Sequence, residues 1–160
     1  MPNHRPRLDH WLTALLLAGS LVSCGGEPTG ASRNRLQDSL VAERRRWREQ
    51  NVKTYTYQLQ VHCMCATPGD PVVVEVKDGN VTSITRVSDG LRLSTAQYPM
   101  IRSVEGLFDL IQQAIDDQAD TIFARFETSM HYPTEIQIDW KTSASDDDVS
   151  YVAGSLKATP

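Results

Sequence analysis

An α+β fold built on an antiparallel sheet is what this sequence predicts, and three observations predict it. Residues 54–61 and 134–140 alternate apolar and polar side chains with the period of a half-buried strand. Asp78-Gly79-Asn80 stands between two Val- and Ile-rich runs, a strong hairpin signal. Helical spacing occurs in two stretches only, one ahead of the strands and one among them. Consecutive hairpins argue against parallel βαβ winding, so the expectation is an antiparallel sheet with an N-terminal helix and a central helix packed on one face.

Residues 32–50 are expected to form the first helix, with Leu36, Leu40 and Trp47 on one stripe and Ser32 as N-cap. Its run Glu43-Arg44-Arg45-Arg46-Trp47-Arg48-Glu49 places arginines around the helix, which suits a solvated surface or a contact with lipid headgroups. In the strand at 54–61, Tyr55, Tyr57, Leu59 and Val61 share a face opposite Thr54, Thr56, Gln58 and Gln60. Pro68-Gly69-Asp70-Pro71 breaks the chain before strands at 72–77 and 81–87 and a short one at 91–93. Ser103 can cap a second helix running to about residue 118, with Leu107, Leu110, Ile111, Ala114 and Ile115 as its apolar face. Strands at 121–127, 134–140 and 149–156 complete the sheet, with Ile136, Ile138 and Trp140 on one face of the middle one.

The N-terminus carries an address. Arg5 and Arg7 precede an apolar run at 11–22 that is shorter than the roughly 20 residues a bilayer span needs. Leu21-Val22-Ser23-Cys24 resembles the lipobox of bacterial lipoproteins, in which the cysteine is lipidated and becomes the mature N-terminus. Residues 1–23 are therefore expected to be a signal peptide, Cys24 the lipidation site, residues 24–31 a flexible tether and residues 32–160 a single domain. Gly25 after that cysteine favours outer-membrane sorting over retention on the outer side of the cytoplasmic membrane.

Removing residues 1–23 takes away Arg5, Arg7 and Asp9, which leaves 14 basic and 19 acidic of the chain's 16 and 20. That balance disfavours nucleic acid as a partner. With Cys24 committed to lipid, Cys63 and Cys65 are the remaining thiols, and export would place them where disulfides persist. In a regular strand their Cα atoms would lie about 6.6 Å apart, beyond the favoured disulfide spacing, so pairing needs a bend at Met64. Buried reduced thiols and a soft-metal or redox pair are the alternatives, with His131 as the ligand that would have to approach from another loop.

Catalytic templates are sparse. Outside the leader the histidines are His62 and His131, and there is no His-Glu-x-x-His, no Gly-x-Ser-x-Gly and no phosphate-cradling glycine loop. Asp146-Asp147-Asp148 lacks the alternate spacing of a calcium loop. Tyr55, Tyr57 and Trp140 are candidates to line a ligand groove, with a core role as the bland alternative.

Tyr55-x-Tyr57 followed by Cys63-x-Cys65 forms a pattern supported by Trp47, by the Val-x-Val strand before Asp78-Gly79, by Leu107-Phe108 and by Tyr132-Pro133 before Ile136-x-Ile138-Asp139. It resembles domain-of-unknown-function family 6174, a group of small bacterial lipoproteins, across roughly residues 47–151. His131 stands where the resemblance leads one to expect glycine. The resemblance implies the fold and the envelope address and no activity. The function expected is a lipid-anchored, non-catalytic binding or assembly domain with no cofactor, attached to the membrane through Cys24 and facing an envelope protein partner. A redox or soft-metal protein using Cys63 and Cys65 is the alternative.

Overall fold

The computed structural model describes Met1 and residues 29–65, 69–144 and 146–159. The leader, Cys24 and most of the tether lie outside the described residues. Helix α1 spans Thr29–Glu49, followed by strands β1 (Thr54–Cys63), β2 (Val72–Lys77), β3 (Asn80–Arg86) and β4 (Arg92–Leu93). Helix α2 (Val104–Asp116) then leads to β5 (Thr121–Phe126), β6 (Pro133–Asp139) and β7 (Val149–Ala158). All strands join one sheet in the order β4-β3-β2-β1-β7-β6-β5, and every pairing is antiparallel. The expected α+β class holds.

Two meanders explain the order. β1 to β4 step outward to one edge, α2 carries the chain to the opposite edge, and β5 to β7 step back until β7 pairs with β1. Asp78 and Gly79 make the β2–β3 turn with φ of 50° and 76°, the paired positive angles that a two-residue type I′ hairpin requires.

Both helices lie on the sheet face that carries Tyr55, Tyr57, Leu59 and Val61, all buried as the alternation requires. α2 begins where expected, with Ser103 Oγ accepting from the Gly106 amide, and buries Val104, Leu107, Phe108, Leu110, Ile111, Ala114 and Ile115. Each buried Leu or Ile contributes about 1.5–3 kcal/mol. The segment after β4 contributes Ile101 to the same core as the valines of β2 and Ile84 of β3, with Tyr98 and Met100 packed against that core. The two helices run antiparallel, linked by Gln37–Gln112, Arg44–Asp109 and Trp47–Glu105.

α1 departs from expectation at its start: it begins at Thr29, so residues 29–31 belong to the helix and not to the tether, and Ser32 lies inside the helix and is not its N-cap. A helix already nucleated by its packed stripe of Leu40 and Trp47 extends by one hydrogen bond per residue, which suffices to recruit Gly30 and Ala31. The arginine run is largely engaged: Arg44 bonds Asp109 at 2.7 Å and lies over the Phe108 ring, Arg46 bonds Glu43 at 2.6 Å, and Arg45 faces Glu49 at 3.7 Å.

Candidate functional site

The strand registers define two ends of the sheet. Cys63 of β1 lies opposite Val149, and Val149 lies opposite Ile138 of β6. Tyr55, eight residues earlier in β1, lies opposite Ala158. At a rise of about 3.3 Å per residue, the Cys63 end and the Tyr55 end are roughly 26 Å apart.

At the first end the chain leaves β1 and bends. Cys63 and Cys65 form a close pair, with Cα atoms 5.1 Å apart, closer than extended geometry allows. The bend falls at Met64, which is 79% exposed. Trp140, just beyond β6, is half-buried at this same end.

His131 sits at the other end. It precedes β6 by two residues in the β5–β6 loop, and its Nδ1 lies 2.7 Å from Glu43 Oε2 of α1. The structure therefore does not bring His131 to Cys63 and Cys65, and among the described residues no cluster of three or more His, Cys, Asp and Glu could hold a metal ion. His131 has a φ of 63°, the left-handed conformation that makes glycine the expected residue there, and its side chain bridges to α1. The loop is further held by Glu127, whose carboxylate accepts from the amides of Met130 (2.5 Å) and Ser129 (2.7 Å) and from the Ser129 hydroxyl (2.8 Å). The Met130 amide, more than any other group, pulls the Glu127 carboxyl down to about 2.

Tyr55 and Tyr57 also belong to this end, so the structure separates them from Trp140. Both are 1% exposed and face the helices, which makes them core instead of groove walls. Their hydroxyls are taken: Tyr55 donates to Glu105 Oε2 (2.8 Å) and accepts from the Val104 amide (2.8 Å), while Tyr57 donates to the Arg102 carbonyl. Glu105 Oε1 accepts from Trp47 Nε1 at 3.1 Å. One carboxylate thus ties α1, β1 and the start of α2 together. Burial first, and the Glu105 charge second, hold both tyrosines protonated well above the ordinary phenol range. Reading the sequence missed Glu105, because an acid in the first turn of a helix is ordinary there. Its partners are 50 and 58 residues away, and no local spacing could have revealed them.

The third feature is the free perimeter. The sheet face away from the helices carries Gln58, Glu75, Phe123, Gln137 and Val152, all exposed. β4 is an edge of two residues; β5 is an edge of six. Phe123 of β5 is 40% exposed and stacks under the Arg125 guanidinium at 5.6 Å, and Arg125 pairs with Glu135 of β6 at 3.3 Å. Beside this edge, a small cleft between α1 and β5 is lined by Ser32, Arg33, Leu36, Ala119, Asp120 and Ile122.

The family of unknown function DUF6174 matches residues 39–158. The chain belongs to that family. No curated protein and no solved structure matches it. The DUF6174 segment runs from the middle of α1 to the last residue of β7, so it includes the Glu105 network, the cysteine pair and the whole of β5. It omits Arg33 and Leu36 on the α1 wall of the cleft. No helix among the described residues is long and apolar enough to cross a membrane.

Proposed function

We propose that this DUF6174 protein is a lipid-anchored cell-envelope protein whose domain is a non-catalytic binding or assembly module. The anchor rests on the leader and Cys24. α1 begins at Thr29, five residues after that cysteine, so a lipid there would hold the domain within about 18 Å of the bilayer surface. The observation that carries the binding reading is the asymmetry of the sheet. Both helices pack on one face, while among the described residues the other face carries exposed side chains and β5 is a sheet edge, surfaces that would suit an envelope protein. The groups whose protonation is most perturbed are tyrosines clamped in the core, with their hydroxyls already bonded.

A second reading has one observation in its favour. Met64 is 79% exposed between Cys63 and Cys65, so after reduction by a thiol the three sulfurs would offer soft ligands on an accessible loop. His131 contributes nothing to such a site.

Membrane fractionation of the full chain and its Cys24→Ser variant tests the anchor. The wild-type chain is expected in the membrane pellet, released only by detergent, and the variant in the soluble fraction or as an uncleaved precursor, since one residue bears the lipid affinity. A processed Cys24→Ser chain that still pellets with membranes overturns the reading.

A further inference from the structure

We infer that β5 is the docking edge of this domain, and that its occupant is an extended polypeptide segment alternating aliphatic and acidic residues. The inference deepens the binding reading above and rests on it.

Sheet edges are normally blunted by brevity, proline, lysine or a bulge, because an open row of backbone groups recruits other strands. β4 follows that rule with its two residues, paired only as Ile84 with Leu93 and Thr85 with Arg92. β5 does not. Thr-Ile-Phe-Ala-Arg-Phe contains neither proline nor lysine. Its register shift falls between Arg125 and Phe126, leaving Thr121 to Arg125 in regular pairing with β6. Its single charge is laid over Phe123 and balanced by Glu135, so it does not stand as a lone deterrent.

Side chains beside the edge specify the occupant. In a strand added next to β5, residues level with Ile122 and Ala124 point to the helix side, and those level with Phe123 and Arg125 point to the open side. On the helix side, the cleft between α1 and β5 presents Leu36 and Ile122. The polar groups there are engaged: Arg33 donates to the Ala119 carbonyl at 3.0 Å, and Asp120 accepts from the Thr142 amide and hydroxyl at 2.9 and 3.2 Å. That side suits an aliphatic residue. On the open side, the Arg125 side chain is 66% exposed although Glu135 touches it from β6, so a second carboxylate can approach from the free flank. β6, the strand already seated on the other flank of β5, has this chemistry, with Ile136 and Ile138 alternating with Glu135, Gln137 and Asp139. Main-chain bonds would supply affinity and the two alternating rows would supply selectivity.

A synthetic copy of residues 134–140 is the probe, with a second peptide carrying Glu135→Lys and Asp139→Lys. Binding is measured by fluorescence anisotropy to the full chain in detergent, and its place by amide hydrogen exchange. The acidic peptide is expected to bind about tenfold more tightly than the lysine peptide and to protect β5. Arg125→Gln should bring the two to equal affinity, and Arg125→Glu should reverse their order, while the melting temperature reports that each variant is folded. Equal affinities in the wild-type chain overturn the inference. So does protection on another strand, or concentration-dependent protection of β5 without peptide, which would make a second copy the occupant. A chain that pellets through Cys24 and binds neither peptide removes the strand-docking inference and leaves the anchor intact.

Discussion

The two ends of the sheet are held in different ways. At the Tyr55 end, Glu105 accepts from Trp47 and Tyr55, His131 meets Glu43, and Glu127 gathers the amides of its own loop. α1, α2, β1 and the β5–β6 loop converge there through charge-assisted bonds, which are stronger than neutral ones. At the Cys63 end a close cysteine pair sits where the chain turns, and residues 141–144, 146 and 148 nearby are exposed. Residues that look most chemical in the sequence, Cys63-Met64-Cys65, sit away from the Glu105 network, at the end where Asp120 accepts from Thr142. Ordinary ones, a Glu and a Trp far apart in the chain, build that network. Rare residue types attract a functional reading, but long-range hydrogen bonds between common types tie the helices to the sheet.

Removing Trp47 should produce the largest effect, because it is 2% exposed and packs edge-on against Tyr55 and Tyr132. Trp47→Ala deletes that packing and leaves Glu105 one donor short. It is expected to cost about 3–5 kcal/mol in chemical denaturation, as large aromatic truncations in cores do. Gln112→Ala provides the contrast within the helix pair. It loses its exchange with Gln37 and should cost no more than about 1 kcal/mol. Similar losses for the two would mean that the helices are held by their polar seam and not by the Trp47 end.

The same contrast explains what could be read in advance. Alternation put Tyr55, Tyr57, Leu59 and Val61 on the buried face, and Asp78-Gly79 announced its hairpin, because period and turn chemistry are local properties. The N-cap at Ser103 was equally local. Three features were not. The groove that stood as the alternative to a core role for Tyr55, Tyr57 and Trp140 required residues that register places at opposite ends of the sheet. The alternative metal site would have needed His131 beside the cysteines, and register puts them at opposite ends as well. The start of α1 at Thr29 reflects cooperative extension, which no capping signal records.

At the Cys63 end, a smaller loss is expected. A bond between the paired Cys63 and Cys65 would close a loop of three residues, and the entropy it would remove from the unfolded chain corresponds to about 1.6 kcal/mol. The double replacement Cys63→Ala and Cys65→Ala should therefore lower stability by roughly that amount or less. Mass spectrometry of the exported chain, denatured without reductant, should find neither thiol open to alkylation. Two alkylatable cysteines, or a loss approaching that of Trp47→Ala, would remove the contrast between an end closed by a cysteine pair and one tied by the Glu105 network.

Acid should probe the Tyr55 end most gently, through Glu127. Its carboxyl is depressed to about 2 from an ordinary 4.5, chiefly by the Met130 amide and then by Ser129, while partial burial opposes the shift. A carboxyl depressed in the folded state binds its proton more readily in the unfolded chain. Its stabilising contribution is therefore complete above pH 4.5 and is lost as the pH falls toward 2. Solvent reaches this loop, so the effect is a modest one. Glu127→Gln keeps one acceptor oxygen for the loop amides but cannot titrate. Denaturation curves of both chains at intervals between pH 7 and pH 2 should show the wild type more stable at neutral pH, with the gap narrowing through the acid range and closing near pH 2. A gap that stays constant with pH would mean that the loop is held by hydrogen-bond shape alone. The ionised carboxylate would then contribute nothing to the charge-assisted bonding of the Tyr55 end.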